Sequence, residues 1–93
     1  MARWLIAAAL DLEAIWEHQT YWNGEDRADH ICDWLLDLAE QIDPSRCPHA
    51  PIPGARKYVK NGYVFLVREL RNEVQIIGVF GPGMNSTTRA APR

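Results

Sequence analysis

The sequence has little with which to brace itself covalently. Only two cysteines, Cys32 and Cys47, occur in 93 residues, too few for the disulfide framework of a small secreted domain. There is also no charged-then-apolar leader ending in a small-residue cleavage site, so export is not expected and the thiols are read as reduced, in a cytoplasmic setting. The apolar opening from Trp4 to Leu10 covers seven residues, far short of the roughly 20 that a membrane-spanning helix needs. No membrane partner is expected.

Positive charge is not in excess either. The formal net charge is −2, whereas proteins that hold nucleic acid mainly through phosphates need clustered Lys and Arg, so direct nucleic-acid binding is not favoured. The charge is nonetheless divided along the chain. Ten of the 12 acids run from Asp11 to Asp43, and from Arg46 onward Lys and Arg outnumber the remaining two, Glu69 and Glu73.

Several chemistries lack their residues. Ser45, Ser86, Thr87 and Thr88 fall in loop or tail segments, with no Ser or Cys on a strand-to-helix elbow. Gly81-Pro82-Gly83 follows the last strand without a helix or a GK[ST] behind it, so it reads as a turn and not a phosphate loop. Cys47 and His49, with His18 and His30 elsewhere, make no tetrahedral pattern at zinc-finger spacing, and neither a metal nor a cofactor is expected. Asp29, Asp33, Asp37 and Glu40 recur at helical spacing and read as a solvated helix face.

What is present is enough for one small core: nearly half of the residues are apolar and four are Trp, unlike a disordered chain. Arg3 to Ala7 reads as a short first strand. Asp11 and Glu13 suit the positive end of a first helix with Asp11 as its cap, and Leu12, Ile15, Trp16 and Gln19 form a stripe running toward Tyr21 and Trp22. After Asn23-Gly24, a second helix opens at Glu25. Its apolar positions are Ala28, Ile31, Cys32, Leu35, Leu38, Ala39 and Ile42, and it stops at Asp43-Pro44. A short break between two amphipathic helices makes an antiparallel hairpin.

Pro48, Pro51 and Pro53 then stiffen a surface connection from Ser45 to Gly54 that reads as no regular element. Ala55 to Lys60 and Tyr63 to Leu70 flank Asn61-Gly62, a type I′ hairpin signal, and Arg71-Asn72 turns the chain into Glu73 to Phe80. A two-residue loop there pairs Leu70 with Glu73, Arg68 with Gln75, Val67 with Ile76, Leu66 with Ile77 and Val64 with Val79. One face then carries Tyr63, Phe65, Val67, Val74, Ile76 and Phe80, and the other Val64, Leu66, Leu70, Ile77 and Val79 beside Arg68 and Gln75. Two helices cover one face, so the other is either shielded by curling and the tail or kept for another chain.

Arg56, Lys57, Lys60, Arg68 and Arg71, with Tyr58 and Tyr63, make the basic and aromatic constellation of the sheet half. Such residues anchor protein interfaces and also touch RNA. The expectation is α+β: a short N-terminal strand, a two-helix hairpin, then a three-stranded meander curled on the helices. It forms one domain over residues 1–85, with a flexible tail at 86–93.

The order of strand, hairpin, proline-rich link and meander carries Asp11-Leu12-Glu13-Ala14-Ile15-Trp16, Gly54-Ala55-Arg56, Gly62-Tyr63 and Val74-Gln75-Ile76-Ile77-Gly78-Val79. In this it resembles the ParE/RelE superfamily of type II toxin–antitoxin systems. The RelE branch implies a ribosome-dependent messenger RNA nuclease with a basic residue just after the tyrosine of the Gly-Tyr strand and more cations after the last strand. Here Val64-Phe65 follows Tyr63, and Phe80-Gly81-Pro82-Gly83-Met84-Asn85 stands in the second place.

The resemblance therefore falls nearer ParE, which implies a toxin that binds DNA gyrase and is neutralised by a cognate antitoxin; Met84-Asn85 is similar to the end of an Arg-Met-Asp motif. Charge placement nominates Arg56, Lys57, Tyr58, Arg68 and Arg71 for partner contact. The alternatives are a RelE-type RNA endonuclease drawing on Arg56, Lys57, Lys60 and Arg68, and an inactive relative serving as a binding module. A second copy of the chain is a further candidate partner.

Overall fold

A computed structural model describes residues 2–82; the expected domain end at residue 85, the 86–93 tail and Met84-Asn85 lie outside the described residues. The elements are β1 (Ala2–Trp4), α1 (Ile6–Asn23), α2 (Glu25–Ala39), a single 3₁₀ turn (Pro44–Arg46), β2 (Arg56–Lys60), β3 (Tyr63–Leu70) and β4 (Glu73–Phe80). The four strands form one sheet in the order β1-β4-β3-β2, with β1 parallel to β4 and the rest antiparallel. The α+β architecture expected from the sequence is the one observed.

The first strand is shorter than expected and the first helix starts earlier. Ala7, Ala8, Ala9 and Leu10 are strong helix formers, and they carry α1 back to Ile6 with no side-chain cap on Leu5. Asp11 is consequently not a helix cap. It lies inside α1 and is buried, about 2% exposed. The expected stripe also ends early: Ile15 is buried, but Tyr21 and Trp22 stand exposed at the hairpin tip. Trp16 Nε1 donates to Asp29 Oδ1 at 2.8 Å and ties the two helices together.

α2 stops at Ala39, before the proline that was expected to end it. The next amides bond three residues back, Gln41 N to Leu38 O at 3.0 Å and Ile42 N to Ala39 O at 3.4 Å, the tightening common at a helix end. The stripe still reaches Ile42, which is buried. Glu40 Oε2 accepts from the Ala2 amide at 2.7 Å and pins the start of β1. The proline-rich connection holds more structure than expected: Asp43 caps the 3₁₀ turn by accepting from the Ser45 amide and hydroxyl, and His49 bridges to Arg56.

Both tight turns have the expected form. Asn61 and Gly62 have φ of 51° and 83°, and Arg71 and Asn72 have φ of 54° and 63°, the positive pair that a type I′ turn requires. The register agrees with the sequence reading from Leu70 opposite Glu73 to Val67 opposite Ile76. It then shifts: Leu66 lies opposite Gly78, Phe65 opposite Val79 and Val64 opposite Phe80.

Ile77 is the extra residue of a β-bulge, which re-aims every side chain after it. Val79, expected on the outer face, turns to the helices, and Phe80 turns away from them. The core therefore joins Ala8 and Ile15 of α1, Leu35, Leu38 and Ala39 of α2, and Phe65, Val67, Ile76 and Val79 of the sheet. On the far side Leu66 and Phe80 are buried, while Val59 and Leu70 at the rim are exposed. That face is shielded at its centre.

Candidate partner-binding surface

Strand register decides where the nominated residues go. Facing pairs share a side of the sheet, so Arg56, Tyr58 and Lys60, opposite Val67, Phe65 and Tyr63, lie on the helix side. Lys57, opposite Leu66, lies on the outer side, as does Arg68, next to core-facing Val67. Arg71 sits in the β3–β4 turn. The sheet thus separates the five nominated residues, and it likewise divides Arg56 and Lys60 from Lys57 and Arg68. Those four cannot grip one phosphate together.

Each has local work. Arg56 Nη1 donates to the Cys47 carbonyl at 2.8 Å, holding the 3₁₀ turn and connection against the start of β2. The Lys57 amide donates to the Pro48 carbonyl at 2.9 Å, which occupies part of the outer edge of β2. Tyr58 packs edge-on to Phe65, centroids 6.2 Å apart. Lys60 is exposed beside the Asn61-Gly62 turn.

Arg68 belongs to a polar strip that crosses three strands. Its Nε donates to Gln75 Oε1 at 2.7 Å, Gln75 Nε2 donates to Glu73 Oε1 at 3.0 Å, and Arg3 Nη1 lies 3.7 Å from the same Glu73 oxygen. Arg3 alone pairs with the Glu73 carboxylate, and Arg68 reaches it only through the neutral Gln75 amide, so two cations against one carboxylate leave the strip net positive beside the exposed rim residue Leu70. Gln75 is buried, and its two bonds satisfy it as burial demands.

Two features went unread in the sequence. The first is a cleft of about 370 Å³ between α2 and the β2–β3 turn, lined by Arg27, His30, Ile31, Trp34, Asn61 and Tyr63. Arg27, His30, Ile31 and Trp34 fall at helical spacing, a signal that was legible, but nothing in the sequence placed Asn61 opposite them. Trp34 and Tyr63 meet edge to face at 5.6 Å and form the floor. Gln19 Nε2 donates to the Tyr63 hydroxyl at 3.3 Å. Burial, helped by the Cys32 thiol, pushes the Tyr63 phenol above its ordinary value, against the opposing pull of Arg27 and Gln19.

The second is the Asp11 carboxylate against β4. Its Oδ2 accepts from the Val79 amide at 3.2 Å. β1 pairs only with Val74 to Ile76 of β4, and α1 then runs where a longer strand would have continued. A second cleft, of about 350 Å³, is lined by Pro44, Ser45, His49, Gly54, Arg56 and Glu69. Among the described residues no group of His, Cys, Asp and Glu is arranged to hold a metal ion, and no helix is long and apolar enough to cross a membrane.

No family model matches this sequence, and no curated protein matches it. Among solved structures, a chain from the chromosomal ParDE TA system of P. aeruginosa is similar, with a TM-score of 0.77 and 21% identity over 87% of this chain and 94% of that one. The likeness spans almost the whole of both chains, so the fold is the ParE-like one that the sequence resemblance implied.

Proposed function

We propose that this protein is the toxin of a type II toxin–antitoxin pair, ParE-like, which arrests growth by binding DNA gyrase and is neutralised by a cognate antitoxin. The observation that carries the reading is the fold shared, nearly end to end, with a chain of a ParDE TA system. A fold hosts several activities, so the choice between binder and nuclease rests on residue placement. In-line phosphoryl chemistry needs cations and a proton-transfer pair converging on one phosphate, and the sheet puts Arg56 and Lys60 on one side and Lys57 and Arg68 on the other.

Of the nominated contacts, Lys57, Arg68 and Arg71 offer charge on the outer side and at its turn to an acidic antitoxin segment, while Arg56 and Tyr58 hold β2 in place for them. Induced expression in a bacterium, scored for growth, plasmid supercoiling and transcript integrity, tests the proposal. Growth arrest with altered supercoiling is expected. Arrest with rapid transcript cleavage would favour the RelE-type nuclease, and unimpaired growth at good yield would favour the inactive binding module.

A further inference from the structure

The cleft between α2 and the β2–β3 turn has a composition of its own. Its floor is apolar and aromatic, from Ile31, Trp34 and Tyr63, and its rim carries a guanidinium from Arg27, an imidazole from His30 and an amide from Asn61. Arg27 and His30 lie exposed one helical turn apart, so their side chains are free to close on a ligand. Among the described residues no carboxylate lines the cleft. Asp29, between the two, is turned toward α1 by its bond from Trp16.

We infer that this cleft binds a peptide segment of the partner in which a carboxylate side chain, held by Arg27 and His30, lies next to an apolar side chain seated on Trp34 and Tyr63. Guanidinium and imidazole donors match a carboxylate in charge and hydrogen bonding, and a desolvated aromatic floor supplies the anchor such interfaces use. A nucleic acid fits less well. Tyr63 is about 7% exposed and meets Trp34 edge-on, so the rings offer no open platform for a base. Glu25, Asp26 and Asp33 stand on the same helix, where they oppose a chain of phosphates more than a single carboxylate.

The biological identity of the peptide rests on the toxin reading, but the binding itself does not. The test is fluorescence anisotropy on the purified full chain. The probe is a short fluorescein-labelled peptide of alternating glutamate and leucine, compared with the same peptide carrying lysine for glutamate and with an oligouridine. The glutamate peptide is expected to bind and to shift the Trp34 indole N–H resonance. Arg27→Glu and His30→Glu are each expected to weaken it by about tenfold or more, and both residues are exposed, so neither change disturbs the core. Arg46→Glu, at an exposed cation that does not line the cleft, is expected to leave it unchanged.

Equal binding by Arg27→Glu, equal binding of the lysine peptide, no binding of any probe, or preferential binding of oligouridine through Trp34 would each overturn the inference. Peptide binding without growth arrest on expression would defeat the toxin reading and leave the cleft assignment standing. Arrest without peptide binding would do the reverse.

Discussion

The carboxylate of Asp11 accepts a hydrogen bond from the Val79 amide at 3.2 Å, so a helix side chain takes the place beside β4 that a longer β1 would have filled. Gly78 makes the approach possible: a Cβ there would lie 3.1 Å from the Asp11 Oδ2 atom. Losing the acceptor leaves a buried amide unsatisfied, which costs about 1–3 kcal/mol. Asp11→Ala is expected to lower unfolding stability in urea by that amount, and Asp11→Asn, which keeps an acceptor oxygen, by less. Gly78→Ala forces the carboxylate away and is expected to lose about 1–3 kcal/mol as well.

The β3–β4 turn places Arg71 at φ 54°, a region that β-carbon sterics disfavour for all but Gly, Asn and Asp. Replacing Arg71-Asn72 by Asn-Gly should therefore stabilise the fold by about 1 kcal/mol, read as a higher urea midpoint at constant slope. A lower midpoint would mean that Arg71 makes a contact worth more than the backbone strain.

Arg56 and Arg68 should separate in their effects. Arg56 donates to the Cys47 carbonyl, and Arg56→Ala is expected to cost about 1–2 kcal/mol of stability. Arg68→Ala leaves the buried Gln75 Oε1 without its donor and is also expected to cost about 1 kcal/mol, but unlike Arg56→Ala it is expected to weaken antitoxin binding directly. Chemical denaturation of both variants, beside a pull-down with a candidate antitoxin, checks the split.

Acid should reveal the cap of the 3₁₀ turn. The Ser45 hydroxyl, then the Ser45 amide, hold the exposed Asp43 carboxyl below its ordinary value. A depressed folded value adds stability that is present above the unfolded pKa and is lost as pH falls through the folded one. The stability gap between the native protein and Asp43→Asn should accordingly close below about pH 4. A gap independent of pH would assign Asp43 a role other than accepting from Ser45.

Thiol reactivity offers a further check on packing. Burial raises both cysteines above their ordinary value, with Asp29 and Asp33 adding to the rise for Cys32, and with Asp43 adding and Arg56 opposing for Cys47. Less thiolate means slower alkylation. Near about pH 8, iodoacetamide should label both more slowly in the folded protein than in urea, and Asp33→Asn should speed labelling of Cys32 alone.

The sequence disclosed β3, β4 and their turns to the residue, because Asn61-Gly62 and the apolar runs beside it leave few alternatives. It misplaced Asp11 because an acid near the start of an apolar stripe has the same appearance as a cap, and only the distant Val79 amide distinguishes the two. The bulge at Ile77 was hidden for a related reason. Two consecutive isoleucines continue a strand pattern smoothly, and Gly78 was the sole mark of a close approach. The basic constellation looked coherent along the chain, yet alternate strand residues point to opposite sides, so Arg56 and Lys57 cannot share a surface. The α2 cleft depends on a helix and a turn meeting across 27 residues, from Trp34 to Asn61, which no local pattern encodes.

The central claim, a toxin that acts by binding gyrase, is tested most directly by inducing the protein in a bacterium and following plasmid supercoiling together with transcript integrity as growth is scored. The account predicts growth arrest with altered supercoiling and intact transcripts. Arrest with cleaved transcripts and unchanged supercoiling would contradict it.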